Sequence, residues 1–200
     1  MSSRAESFKT ADLIFTARGR ASGPEGGREL GVEIRFAEAL TDAERRALFG
    51  WGKNIFGVED SLYSWRPKDY HFVTEDDDGR PLSHVGVLKT VVKAGGRDVT
   101  VGGVGAVATR PEAQGRGYVR EAMRRAAEFM CGELGADAGM LFCLQRLAPF
   151  YARQGWRLLE EEAEFDQPSG RVVSPYRVMV LPCGGYEWPA GRVEVEGFPW

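Results

Sequence analysis

Apolar and polar positions divide the chain into an unpatterned start and an ordered remainder. Residues 1–29, rich in Gly, Ser and Arg, show no period and read as an arm, with Leu13-Ile14-Phe15 as a short local anchor. Patterning begins near Leu30, where Leu-Gly-Val-Glu-Ile-Arg-Phe predicts a first strand. Thr41 and Glu44 have capping-box spacing: the hydroxyl accepts from the helix amides while the glutamate reaches back. A helix is predicted from there to about Lys53, followed by a loop through Pro67. Residues 70–75 predict a strand, and Asp76-Asp77-Asp78-Gly79 a turn, because Asp and Gly tolerate positive φ. The β-branched run from Pro81 to Lys93 and the run from Asp98 to Thr109, joined by a turn at 94–97, complete an antiparallel meander.

After Gly117 the period changes. Val119, Ala122, Met123, Ala126, Ala127, Met130 and Leu134 recur at helical intervals, with Arg120, Arg124, Arg125, Glu128 and Glu133 between them. Gly135 is the expected stop. Residues 138–143 predict a buried strand, 146–153 a short helix ended by Gly155, Trp156 to Glu161 a strand, and 176–182 a last clear strand. A tail with apolar anchors closes the sequence. Residues 30–200 thus predict one α+β domain built on a twisted, mostly antiparallel central sheet flanked by helices.

Composition narrows the function. Across 200 residues the net charge is −3, against the basic excess of a nucleic-acid binder. No apolar run approaches the ~18 residues of a membrane span, and the first residues lack a signal-peptide core. Cys131, Cys143 and Cys183 are widely spaced, suggesting neither a metal site nor a disulfide framework, and a reducing cytoplasm is the expected compartment.

The chemistry concentrates at Gln114-Gly115-Arg116-Gly117-Tyr118-Val119. The helix that opens there has amides without internal partners and a positive dipole end. Gly115 and Gly117 let an anion approach, and Arg116 and Arg120 add charge, so the turn suits a pyrophosphate. It lacks the Lys-Ser/Thr of a phosphate loop, which argues against nucleotide hydrolysis. The hairpin pattern argues against a dinucleotide fold.

This segment resembles the GNAT superfamily of acyl-CoA-dependent N-acyltransferases, whose motif reads Arg/Gln-x-x-Gly-x-Gly/Ala. Gln114 and Gly117 match, while Val119 departs from the small last residue. Tyr151, Gly155 and Trp156 are similar to the superfamily's Tyr-x-x-x-Gly-Phe/Trp. Over roughly residues 70–200 the chain resembles two branches, nodulation-factor N-acyltransferases and aminoglycoside 2′-N-acetyltransferases. The first is carried by Val-Met-Val-Leu-Pro with Glu-Trp-Pro-Ala-Gly, the second by Val-Met-Val-Leu-Pro with Trp200.

The resemblance implies acetyl-CoA as acyl donor, no metal, and a small-molecule amine, an amino sugar or aminoglycoside among the choices, as acceptor. It implies that Val107, Ala108 and Thr109 pair with the pantetheine arm, that Gly102, Gly103 and Gly105 permit a bulge or splay, and that residues 114–119 hold the pyrophosphate. Tyr151 is the expected acid for the departing thiolate. The glutamate of many aminoglycoside 2′-branch enzymes falls at Gly105 here, which leaves the base open. Glu59 and Asp60, His84, the weaker candidate His71, and Trp200 with its terminal carboxylate are the acceptor-side candidates. Alternatives are a longer acyl chain, a CoA-binding sensor without turnover, and an interaction protein using the arginine helix. A homodimer through the C-terminal segment is a further expectation.

Overall fold

The computed structural model describes residues 32–56 and 63–200. Glu59 and Asp60, like the arm at 1–29, lie outside the described residues. Strands β1 (Glu33–Ala37), β2 (Tyr70–Glu75), β3 (Pro81–Ala94) and β4 (Arg97–Thr109) form the expected antiparallel meander. Helix α1 (Asp42–Phe49) starts at the predicted capping box: Thr41 Oγ1 accepts from the Glu44 amide at 3.2 Å and Glu44 accepts from the Thr41 amide at 2.6 Å. The helix stops at Gly50, short of the expected Lys53. The Asp76 turn also forms, its carboxylate accepting from the amides of Asp78 and Arg80.

Helix α2 (Tyr118–Cys131) is capped at Gly132, three residues before the predicted stop. Gly135 instead takes a left-handed conformation, φ 61°, in the turn into β5 (Ala138–Cys143). A 3-10 turn at Gln145–Leu147 leads into α3 (Ala148–Ala152). The strand expected from Trp156 shrinks to β6 (Arg157–Leu158). Three strands were not anticipated: the hairpin β7 (Ala163–Gln167) with β8 (Gly170–Val173), and β10 (Val193–Val195) in the tail; β9 (Arg177–Pro182) was.

The result is one ten-stranded mixed sheet in the order β6-β9-β5-β4-β3-β10-β7-β8, with β2 and β1 continuing from β3. Among the described residues only β4–β5 and β7–β10 are parallel. Long β3 thus shares one edge between two partners, β2 along its first half and β10 at its end. Strand alternation sends side chains to two faces. Val85, Val87, Val104 and Leu141 meet Ala122, Met123, Ala126 and Met130 of α2. Leu88, Val101 and Met140 meet Phe165, Val193, Val195 and Trp200 on the other face. Helix α2 lies close because Met130 fills the space a side chain would take at Gly102 and Gly139.

The cysteines correct the sequence reading. Cys131, the last residue of α2, and Cys183, just after β9, are disulfide-bonded with Cα atoms 5.1 Å apart. Sequence spacing hid this, because the antiparallel β5–β9 pair returns Cys183 beneath the end of α2. The pairing removes the support that unpaired thiols lent to a reducing compartment. Among the described residues no helix is long and apolar enough to cross a membrane. The bond closes a loop of 52 residues, for which chain entropy gives about 4 kcal/mol of stabilisation. A thiol titration of denatured, unreduced protein should therefore find Cys143 alone. Cys131→Ser should lower the urea-unfolding free energy by about 2–4 kcal/mol.

Candidate active site

The parallel pairing of β4 with β5 runs from Val101 opposite Ala138 to Val104 opposite Leu141 and then ends, although β4 continues to Thr109 and β5 to Cys143. The strands part there, and the gap opens into a cleft of about 770 Å³. Val107, Ala108, Thr109, Gln114, Gly115, Gly117, Tyr118, Val119, Tyr151, His84 and Trp200 all line it. The fold thus gathers the sequence candidates that fall among the described residues, with one exception: Arg116 is exposed and does not line the cleft.

β4 bulges at the parting point. His84 pairs with Ala108 and Gly86 with Gly105, so Ala106 and Val107 together oppose Val85. The bulged residue is Ala106, at φ 50°, not one of the glycines. Those glycines serve close packing: Gly103 lies under the Trp200 indole and Gly102 under Met130, while Gly105 adjoins the Lys68 side chain, its Cε 2.6 Å from where a Cβ would stand.

A buried histidine pair holds the bulge. His84 Nδ1 lies 2.7 Å from the Ala106 carbonyl oxygen, and its Nε2 lies 2.9 Å from His71 Nδ1. A carbonyl only accepts, so His84 Nδ1 carries a proton. In the neutral ring Nε2 then accepts from His71 Nδ1–H, and His71 Nε2 remains as an acceptor. Both histidines are buried and Phe49 packs edge-on to His84. Burial brings the His84 pKa down to about 4, outweighing the Ala106 hydrogen bond, which favours the charged form. Burial, helped by Arg45 and Lys68, also lowers that of His71. All peptide bonds described are trans. A trans peptide points its C=O and N–H in opposite directions. With the Ala106 carbonyl turned to His84, the Val107 N–H of the same peptide faces away from it. His84, with both nitrogens engaged, is therefore a positioning residue, while His71 keeps the free nitrogen.

Beyond Thr109 the chain makes the glycine turn. Gly115 and Gly117 have φ of 77° and 80°, where a side chain is strained. Nothing would lie within 4 Å of a Cβ at Gly115, so its role is conformational. The Gln114 side chain donates to the Thr109 carbonyl at 3.1 Å and ties the turn to β4. Among the described residues no acceptor takes the amides of residues 115–119, and α2 has no side-chain N-cap. A run of free amides at a helix start is an anion cradle. The arginines farther along α2 are engaged in pairs: Arg124 with Glu121 and Glu128, Arg125 with the same two.

Tyr151, on α3, is 6% exposed and packs against Phe150 and Trp156. Burial, with a smaller effect from Cys143, pushes its hydroxyl well above the ordinary tyrosine range. It is therefore protonated, and among the described residues no acceptor takes its proton. Burial also raises the Cys143 thiol to about 11, so it is no thiolate nucleophile at neutral pH. Sequence reading passed over Lys68, which lines the cleft beside Gly105 and donates to the Arg66 carbonyl at 2.7 Å. Burial, then repulsion from Arg66, lowers its pKa to about 8.

The chain belongs to the GNAT acetyltransferases: the family model described as an acetyltransferase (GNAT) domain matches residues 39–159. The fold is similar to that of the GNAT family N-acetyltransferase YhbS from Escherichia coli, solved in complex with CoA. That match has 20% identity over 86% of this chain and 93% of that one, with a TM-score of 0.55. It is also similar to a GCN5-related N-acetyltransferase from Kribbella flavida, at 17% identity over 74% and 97% of the two chains and a TM-score of 0.52. No curated protein sequence matches.

The histidine pair sets a pH dependence of stability. Unfolded, His84 titrates near 6.5; folded, near 4. Between those values the unfolded state binds more protons, so stability rises with pH and falls on acidification. From pH 7 to pH 5 the His84 contribution is a loss of about 2 kcal/mol. Urea unfolding at both pH values should show a shallower loss in His84→Asn, which keeps a donor for Ala106 but does not titrate.

Proposed function

We propose that the protein transfers an acetyl group from acetyl-CoA to a primary amine of a small molecule. One observation carries the reading: a single cleft joins Gly115, Gly117, Tyr118 and Val119, whose amides are free, with the Ala106 bulge and Tyr151. The CoA diphosphate would take the amides and the pantetheine arm would lie along Val107–Thr109. The Val107 N–H, turned away from His84, would meet the thioester oxygen as negative charge grows on it.

The neutral amine attacks the thioester carbon, a C–N bond forms and the C–S bond breaks. Tyr151 supplies the proton that the leaving thiolate takes up. The amine nitrogen sheds a proton in turn. His71, neutral and lining the cleft, would take it through Nε2, where the sequence left the base open and ranked His71 below His84.

The test couples calorimetry of CoA binding with thiol-reagent detection of CoA release across an amine panel that includes amino sugars and aminoglycosides. CoA binding with turnover on at least one amine is expected. Binding without turnover on any would mean a sensor, and no binding would end the reading. Tyr151→Phe should bind CoA as the parent does while turnover falls at least about tenfold, a floor below the ~10²–10⁴ typical of a positioned acid. Unchanged turnover would remove Tyr151 from the chemistry.

A further inference from the structure

Resting on that reading, we propose that the acceptor amine carries an anionic group, a carboxylate or a phosphate, on a compact apolar or ring-shaped body. The anion lies against Lys68 and Arg66, and the body against Trp51, Trp65 and Tyr176. The charge of the cleft points to this. Its lining includes Arg45, Arg66, Lys68 and Arg146, and among the described residues no Asp or Glu side chain; the Trp200 carboxyl, which reaches Gly105, is one anion set against these four cations.

Lys68 and Arg66 stand where the cleft passes Gly105, just before the bulge in β4. The Lys68 stem packs against Gly86 and Gly105, which brings the ammonium beside the strand that would hold the thioester. Its recorded hydrogen bond goes to the Arg66 carbonyl, a neutral acceptor. Arg66 Nη1 donates to Thr90 Oγ1 at 3.0 Å, and the Arg66 amide to the Pro199 carbonyl at 2.7 Å. Neither cation forms an ion pair with a carboxylate side chain among the described residues, whereas Arg35, Arg171 and Arg192 elsewhere each do. The lowered pKa of Lys68 fits a half-buried ammonium beside a second cation; a bound anion would offset both effects.

The wall around these cations is aromatic. Trp65 and Tyr176 pack with ring centroids 5.6 Å apart, and Trp51, Phe49, Phe56 and Trp200 line the same cleft. Such a wall takes a hydrocarbon side chain or the face of a sugar ring. A polyamine or an aminoglycoside would instead bring several positive charges against two or more cations in a partly desolvated space. Carboxylate and phosphate share the chemistry the site reads, and the test separates them.

The experiment compares matched pairs on the CoA-saturated protein: L-phenylalanine with phenethylamine, and glucosamine 6-phosphate with glucosamine. Spermidine and kanamycin are the polycations. Binding is read by calorimetry and turnover by CoA release, so the comparison stands even for amines that bind without reacting. In at least one pair the anionic member should bind about ten- to a hundredfold tighter, as a charge-assisted contact gives. The pair that responds identifies carboxylate or phosphate. Lys68→Met keeps the packed stem and should cut that preference at least about tenfold; Lys68→Arg should restore part of it. Equal affinity within both pairs, tighter binding of spermidine or kanamycin, or an unchanged preference in Lys68→Met would overturn the inference. Loss of CoA binding would overturn the acetyltransferase reading instead, and the calorimetric CoA titration reports that separately.

Discussion

β4 and β5 stop pairing at Val104 and Leu141 while both strands run on, and the site exists because of that early stop. In a continuous sheet the edge groups of residues 105–109 would be satisfied by β5. Parted, they need another partner, since buried backbone groups left unpaired are costly. The bulge sharpens the parting. It holds Ala106 at a positive φ that a residue with a Cβ resists, so something must hold it there. The His71–His84–Ala106 chain does so with two hydrogen bonds, the first buried and the second part-buried. An acceptor carbonyl is thereby removed from the cleft and a donor amide turned away from the clamp. The sheet thus holds its polar groups in place before any ligand arrives, so little reorganisation would be required on binding.

The anion cradle depends on the same strand from its other end. α2 starts directly after the turn that Gln114 ties to Thr109. The helix axis is fixed by Met130 seated over Gly102 and Gly139, and its last residue is cross-linked to the end of β9. Both ends of α2 are therefore tethered to the sheet that carries the bulge. A shift of the helix would move the amides of 115–119 relative to Val107–Thr109. The disulfide, remote from the cleft, thus supports the spacing between cradle and bulge as well as the folded state.

How much of this was legible follows from the range of the interactions. The meander, the Thr41 cap, the amphipathic α2 and the glycine turn are written in local patterns, and the structure shows all four. The turn-forming Ser169-Gly170 between Phe165 and Val172, and the alternation of Val193 and Val195, were signals for β7, β8 and β10 that the acidic residues around them obscured. What stayed hidden depends on contacts between distant segments. Cys131 meets Cys183 only through the β5–β9 return. The glycines of β4 suggested the bulge, yet it falls on Ala106, because the glycines are needed where Met130, Trp200 and Lys68 press on the strand. Lys68 carries no local signal, because only folding sets its stem against Gly86 and Gly105. His84 could be weighed as a ligand or a satisfied strand residue, and its two ring contacts make it the latter.

Desolvation gives the interior of the cleft a consistent electrical character. Burial keeps Tyr151 and Cys143 protonated and His71 and His84 neutral near pH 7, so these four groups carry no charge, and the charge in the cleft is that of Lys68 and the arginines. That suits a reaction between a neutral amine and a neutral thioester, in which charge arises only on the way to the tetrahedral state. Fixed dipoles, such as the Val107 N–H, then act where charge develops, in a medium that screens them weakly. Had Tyr151 been an ordinary exposed phenol, water would compete for the thiolate. Its burial lowers its acidity, but in the proposed reaction it would also place the proton where a sulfur anion, itself stranded in apolar surroundings, most needs one. The balance between these two effects of one burial decides whether the family chemistry proceeds on this particular scaffold.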